Sequence, residues 1–125
     1  MDLSIGMIGT ATTVVDENNT AKKMKSGSLA VFATPCMVAL MEEASCSAVA
    51  SSLDEKMGTV GISLNISHDA PSGLGTKITA TSELIAIDNR KLTFKVIAKD
   101  SADKIIGKGT HERFIINNEK FMSKL

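Results

Sequence analysis

Between Phe32 and Leu53 the chain reads FATPCMVALMEEASCSAVASSL. This stretch restricts the folds open to the protein more than any other. Thr34 followed by Pro35 is a helix start. A threonine side chain can cap the free N–H groups of a first turn, and proline suits the first helical position because it has no N–H to satisfy. No glycine or proline then interrupts the chain until Gly58, and most of the residues up to Leu53 are good helix formers. On a helical wheel Met37, Leu40, Met41, Ala44 and Ala48 make one stripe, widened by Val38 and Val49. The remaining side chains are mostly small, so the helix is expected to be buried rather than laid on a surface. Glu42 stands at the edge of the stripe, beside Val38, Ser45 and Val49. A carboxylate there is costly unless it is paired or has a chemical task.

The rest of the chain reads as strands. Residues 5 to 15 form a first strand, weakened by Gly6 and Gly9. Asp16 to Gly27 is a polar loop, and Leu29 to Phe32 is a short strand leading into the helix. Thr59 to His68 alternates with a period of two. Val60, Ile62, Leu64 and Ile66 share one face, and His68 continues that series toward the inside. DAPSGLG, residues 69 to 75, is a turn. Lys77 to Ile87 and Lys91 to Lys99 flank a hairpin at Asp88-Asn89-Arg90. Lys104 to Ile116 is a last long strand, and residues 117 to 125 make a helical turn or a frayed end. One long apolar helix followed by four antiparallel strands has a simple solution, in which the sheet curls around the helix. That is the α+β hotdog fold. A single 125-residue layer pair leaves part of the helix and an edge strand uncovered, so a homodimer is expected.

Composition excludes several functions. The length fits one domain, residues 1–125. Lys plus Arg and Asp plus Glu are 14 each, a balance that gives no reason to expect nucleic acid or an anionic membrane as partner. No run of 18 apolar residues suggests a transmembrane helix. MDLSIGMIGTA lacks the basic start and apolar block of a signal peptide. Cys36 and Cys46 both lie on the proposed helix, about 15 Å apart along its axis, and cannot pair with each other. They read as two buried thiols of a reduced, cytoplasmic protein. No metal site is expected: His68 and His111 lack HxxxH or CxxC spacing around them. PSGLG and GKG do not match a phosphate-binding loop.

Four residue types could carry chemistry. Thr34 is either an N-cap or a nucleophile and hydrogen-bond donor, beside helix N–H groups suited to a developing oxyanion. Glu42 is a paired structural carboxylate or a catalytic one, whereas Glu43, rotated by about 100°, is a solvated or interface charge. His68 is a satisfied core histidine or a proton-transfer group. His111, in GTHER, has no evident constellation around it. Cys36 is filler, or a thiol activated in the first helical turn.

ATPCMVALMEEA, VGISLNISHDAPSG, LIAIDNRKLTFKVIAKD and GTHER together resemble the fluoroacetyl-CoA thioesterase family of hotdog proteins, over most of residues 29 to 117. The resemblance implies a Thr–Glu–His constellation at Thr34, Glu42 and His68. It also implies that Gly61 lies beside the acyl group and that Arg113 contacts the coenzyme A portion of the substrate. No cofactor is implied beyond that coenzyme A. KSGSLAV, residues 25 to 31, has no phenylalanine where the fluoroacetyl-specific pattern has an aromatic lid, so the resemblance implies thioester hydrolysis without the fluoroacetyl restriction; Met37, Met41 and Phe32 crowd the first turns of the helix, so a short-chain acyl-CoA is expected. A hotdog acyl-CoA hydratase and a non-catalytic acyl-CoA-binding dimer are the alternatives. Thr34 and Glu42 are eight residues apart, about 12 Å along a regular helix. A direct relay therefore needs a later helix start, bridging by substrate and His68, or a site shared between subunits.

Overall fold

The computed structural model describes residues 2–125. Five strands, β1 (Ile8–Val14), β2 (Met57–His68), β3 (Lys77–Asp88), β4 (Lys91–Lys99) and β5 (Ile105–Asn117), form one antiparallel sheet in the order β1-β3-β4-β5-β2. Against its concave face lies α2 (Thr34–Val49), continued by a short 3₁₀ turn, Ala50–Ser52. Two short helices complete the chain, α1 (Ala21–Met24) and α3 (Asn118–Ser123). This is the hotdog arrangement expected from the strand and helix order.

The core is the seam between α2 and the sheet. Met37, Leu40, Met41, Ala44 and Val49 meet Ile78, Leu84, Leu92, Phe94, Val96 and Ile115. Gly9 fits this seam: a Cβ there would collide with the backbone of Ala44 and Ala48. The residue that weakens β1 as a strand is therefore the one that lets the helix cross it closely. β3 and β4 are joined by a two-residue turn in which Asn89 takes a left-handed conformation, φ 55°.

Three expectations are corrected. First, the cysteines are not buried thiols, because both lie toward the side of α2 that the sheet, as expected, leaves uncovered. Thr34, Pro35, Ala39, Glu43, Cys46 and Ser47 are exposed in the protomer, and Cys36 is half-buried, so the two cysteines are free but not both core thiols. Second, the β2 series does not keep one face. A β-bulge at Ile62 offsets the register: Gly61 pairs with Arg113, but Ser63 pairs with Glu112. Cross-strand partners share a face. Gly61 therefore joins the buried Arg113 on the concave side and Val60 goes with Phe114 on the other. Beyond the bulge Leu64 and His68 return to the concave side opposite His111 and Gly107. Third, residues 29 to 32 make isolated bridges, Thr20 with Phe32 and Val31 with Gly73, instead of a strand, and the polar loop contains α1.

β2 is an edge of the sheet, with Ile62 51% and Leu64 45% exposed. No helix is long and apolar enough to cross a membrane among the described residues.

Candidate active site

The helix begins one residue earlier than its sequence suggests. Ala33 is the N-cap, Thr34 opens the helix, and no side chain caps the first turn. Freed from capping, the Thr34 hydroxyl forms a 2.8 Å hydrogen bond with His68 Nδ1. Pro35 has no N–H, and the Cys36 N–H returns to the Ala33 carbonyl at 3.0 Å. The first turn thus offers fewer oxyanion donors than the sequence suggests. His68 ends β2 opposite Gly107. A Cβ at Gly107 would lie 2.5 Å from Met37 Sδ, so its absence lets the first turns of α2 sit against the ends of β2 and β5. The pair borders a cavity of about 280 Å³ whose walls include Ala21, Val31, Phe32 and Ala70.

Burial pushes the His68 imidazole below its ordinary value; the Ala70 backbone and the Asp69 carboxylate oppose that shift without cancelling it. A neutral imidazole beside a hydroxyl can act as its base. His68 Nε2 is buried with no hydrogen-bond partner among the described residues.

Glu42 belongs to a different cluster. Its Oε2 accepts from Arg113 Nη1 at 2.9 Å and lies 3.8 Å from His111 Nε2. Arg113 is nearly buried, and its Nε and Nη2 donate to the Thr59 hydroxyl at 2.8 Å and the Thr59 carbonyl at 3.0 Å. Its Nη1 also approaches His111 Nε2 at 3.1 Å. His111 Nδ1 stands 2.9 Å from the Ser63 carbonyl. A carbonyl only accepts, so Nδ1 carries the proton and Nε2 accepts from Arg113. Burial, aided by the Arg113 charge, lowers the His111 value against the pull of the Ser63 carbonyl and Glu42. That shift agrees with a neutral ring.

Gly61 closes this cluster. A Cβ there would come 2.6 Å from Glu42 Oε2 and 3.3 Å from both Arg113 Nη1 and His111 Cε1. The protomer therefore brings Thr34 to His68, and Glu42 to Arg113, Gly61 and His111, as two groups. The constellation around His111 is one that the sequence does not make evident. Its signal was present: His111 and Arg113 are two apart in a strand and so share a face. Among the described residues no group of three or more His, Cys, Asp or Glu could hold a metal ion.

Comparison with known proteins gives the same direction at every level. The family described as fluoroacetyl-CoA-specific thioesterase matches residues 15–119. The fluoroacetyl-CoA thioesterase of Streptantibioticus cattleyicolor is 42% identical over 95 residues, 76% of this chain and 68% of that protein. A solved structure of a fluoroacetyl-CoA thioesterase superposes with a TM-score of 0.91 at 35% identity, covering 99% of this chain and 96% of the other. A Thermus thermophilus thioesterase-superfamily protein, 22% identical, shares the fold with a TM-score of 0.90 over 98% and 90% of the two chains.

Proposed function

Because the chain belongs to the fluoroacetyl-CoA-specific thioesterase family and is an acyl-CoA thioester hydrolase, we propose that it cleaves short-chain acyl-CoA at a site shared by two subunits of a homodimer. The observation that carries the reading is the 2.8 Å Thr34–His68 bond, a hydroxyl and its base at the edge of a small cavity. His68 Nδ1 takes the Thr34 proton as Oγ1 attacks the thioester carbonyl. The C–S bond breaks, and the imidazolium returns the proton to the departing thiolate of coenzyme A. Water, activated by a Glu42 carboxylate, then hydrolyses the acyl-threonine. The cavity of about 280 Å³ favours a short acyl group. The absence of phenylalanine from residues 25 to 31 speaks against restriction to fluoroacetyl.

Glu42 reaches this chemistry from the partner subunit. The open edge of β2, with Ile62 and Leu64 exposed, favours pairing with a second copy. Antiparallel pairing centred on this exposed stretch would turn the His68 end of one β2 toward the Thr59 end of the other. Thr59 holds Arg113, and Arg113 holds Glu42. Gly61, which adjoins Glu42, then lies beside the acyl group.

Two measurements test this. Thiol release is followed across acyl-CoAs from acetyl to palmitoyl; turnover is expected with the short chains, and kcat/KM rising steadily with chain length refutes the pocket assignment. Then inactive Glu42→Gln and His68→Ala proteins are mixed and allowed to exchange subunits. A shared site restores one intact centre in each mixed dimer, about a quarter of parental activity from statistical mixing. No restoration, with exchange verified, rules out the shared site.

A further inference from the structure

The leaving group of this reaction ends in a 3′-phosphorylated ADP, a polyanion too large for the cavity at Thr34 and His68. Arg113 is not a free cation for it. It is buried and holds Thr59, Glu42 and His111. Positive charge near the cavity lies instead on α1, whose Ala21 lines that cavity and whose next residues are Lys22 and Lys23.

Ala21, the first residue of the AKKM helix, and Ser26, just beyond its cap, line the Thr34–His68 cavity. Lys22, Lys23 and Lys25 line a second cavity of about 550 Å³ with Thr20, Ala30 and Leu74, where Glu17 is the single carboxylate. The three lysines are exposed. The lysines in ion pairs among the described residues are others, Lys91, Lys99 and Lys108.

The cluster is built on a fixed turn. The Thr20 hydroxyl accepts from the Lys23 N–H at 3.2 Å. Lys25 closes the helix in a left-handed conformation, φ 59°, with its N–H returned to the Ala21 and Lys22 carbonyls. The Thr20–Phe32 and Val31–Gly73 bridges tie both ends of the segment to the body of the fold. Lysine ammonium groups suit phosphate as point charges, and the exposed Leu74 side chain offers an apolar surface to an adenine ring.

We propose that Lys22, Lys23 and Lys25 form the subsite for the 3′-phospho-ADP end of the acyl-CoA substrate. The assignment rests on the thioesterase reading and adds to it the place where the nucleotide is held.

The test compares the parent with K22E/K23E/K25E on acetyl-CoA and on S-acetyl-pantetheine, which has the same thioester and arm but no phosphate. With acetyl-CoA the variant is expected to lose about 10- to 100-fold in kcat/KM, mostly through KM, and to lose the salt dependence of the parent. With S-acetyl-pantetheine the two proteins stay within twofold. An equal loss on both substrates, or none on acetyl-CoA, overturns the subsite. Calorimetry with free coenzyme A reads the same contact without turnover. About tenfold weaker binding by the variant is expected, and equal affinity overturns the proposal. A parent that binds coenzyme A through these lysines yet hydrolyses no thioester would defeat the catalytic reading alone. The neutral K22Q/K23Q/K25Q protein repeats each measurement should charge reversal disturb folding.

Discussion

Replacing Gly61 with alanine should separate the position of Glu42 from the stability of the fold. The backbone at Gly61 is outside the left-handed region, so alanine is conformationally acceptable there. Its Cβ, however, would lie 2.6 Å from Glu42 Oε2, against an ordinary contact of 3.4 Å or more. Arg113 and His111, at 3.3 Å, need to give only a tenth or so. Arg113 is also held by Thr59 at 2.8 and 3.0 Å, so the carboxylate is the group that moves, by about 0.8 Å. The Glu42 side chain is 37% exposed. A weakened pair at that exposure costs no more than about 1 kcal/mol. Alanine recovers about 0.4–1 kcal/mol by restricting the unfolded chain.

The two terms nearly cancel, and the melting temperature should stay within about 5 °C of the parent. Turnover should not follow it. A displacement approaching 1 Å in a reacting constellation costs up to about 10²-fold, so kcat for thiol release should fall about 10- to 100-fold. Thermal melts and thiol-release kinetics on the same preparation decide the matter. A kcat within twofold of the parent, with the carboxylate displaced in a crystal structure of the variant, would refute the claim that the position of Glu42 matters. A melting temperature lowered by more than about 10 °C would show that the clash reaches the fold rather than the site.

Glu42→Gln should remain folded and dimeric and lose most turnover, because the amide keeps the shape but cannot take a proton from water; His68→Ala should lose about 10²- to 10⁴-fold. Near-parental rates in both would dismiss the assigned site. Thr34→Ser should be mild. Thr34→Ala should abolish most activity while changing stability by less than about 0.5 kcal/mol, since the cap is Ala33; losses of activity that track melting temperature would contradict this. The kcat/KM profile should hold at neutral pH and fall in acid, with its midpoint below the ordinary histidine value of 6.5, because burial lowers His68. A midpoint above 6.5 would count against His68 as the base. The sign for stability follows from His111, whose folded value is also lowered. The unfolded chain takes up its proton first, so stability is full above about 6.5 and declines as pH falls from there toward the folded value. His111→Gln should remove part of that decline, as read from urea midpoints at pH 5 and 7.

The long helix and the five strands, with their order, are legible in local patterning; α1 and the isolated bridges of residues 31 and 32 are not. The apolar stripe of α2, the period-two strands and the short turns each follow from local periodicity and turn chemistry, and together they admit one curled sheet around one helix. Residue type and position single out Thr34, Glu42 and His68, and the family resemblance adds Gly61 and Arg113. Only the tertiary structure decided how they group. The bulge at Ile62 moves Gly61 onto the face of Arg113, and a bulge leaves little trace in a pattern that reads Val60, Ile62, Leu64 as regular alternation. Ala33 takes the cap and Thr34 turns to His68, because a hydroxyl bonds to whichever partner folding brings near. His111 looked isolated along the chain, yet lies between Ser63 and Arg113 because β5 pairs with β2. Periodicity is a local property that one strand or helix reveals alone. Register, cap choice and side-chain partnership depend on contacts between residues far apart in the chain, and those exist only once the sheet has closed around its helix.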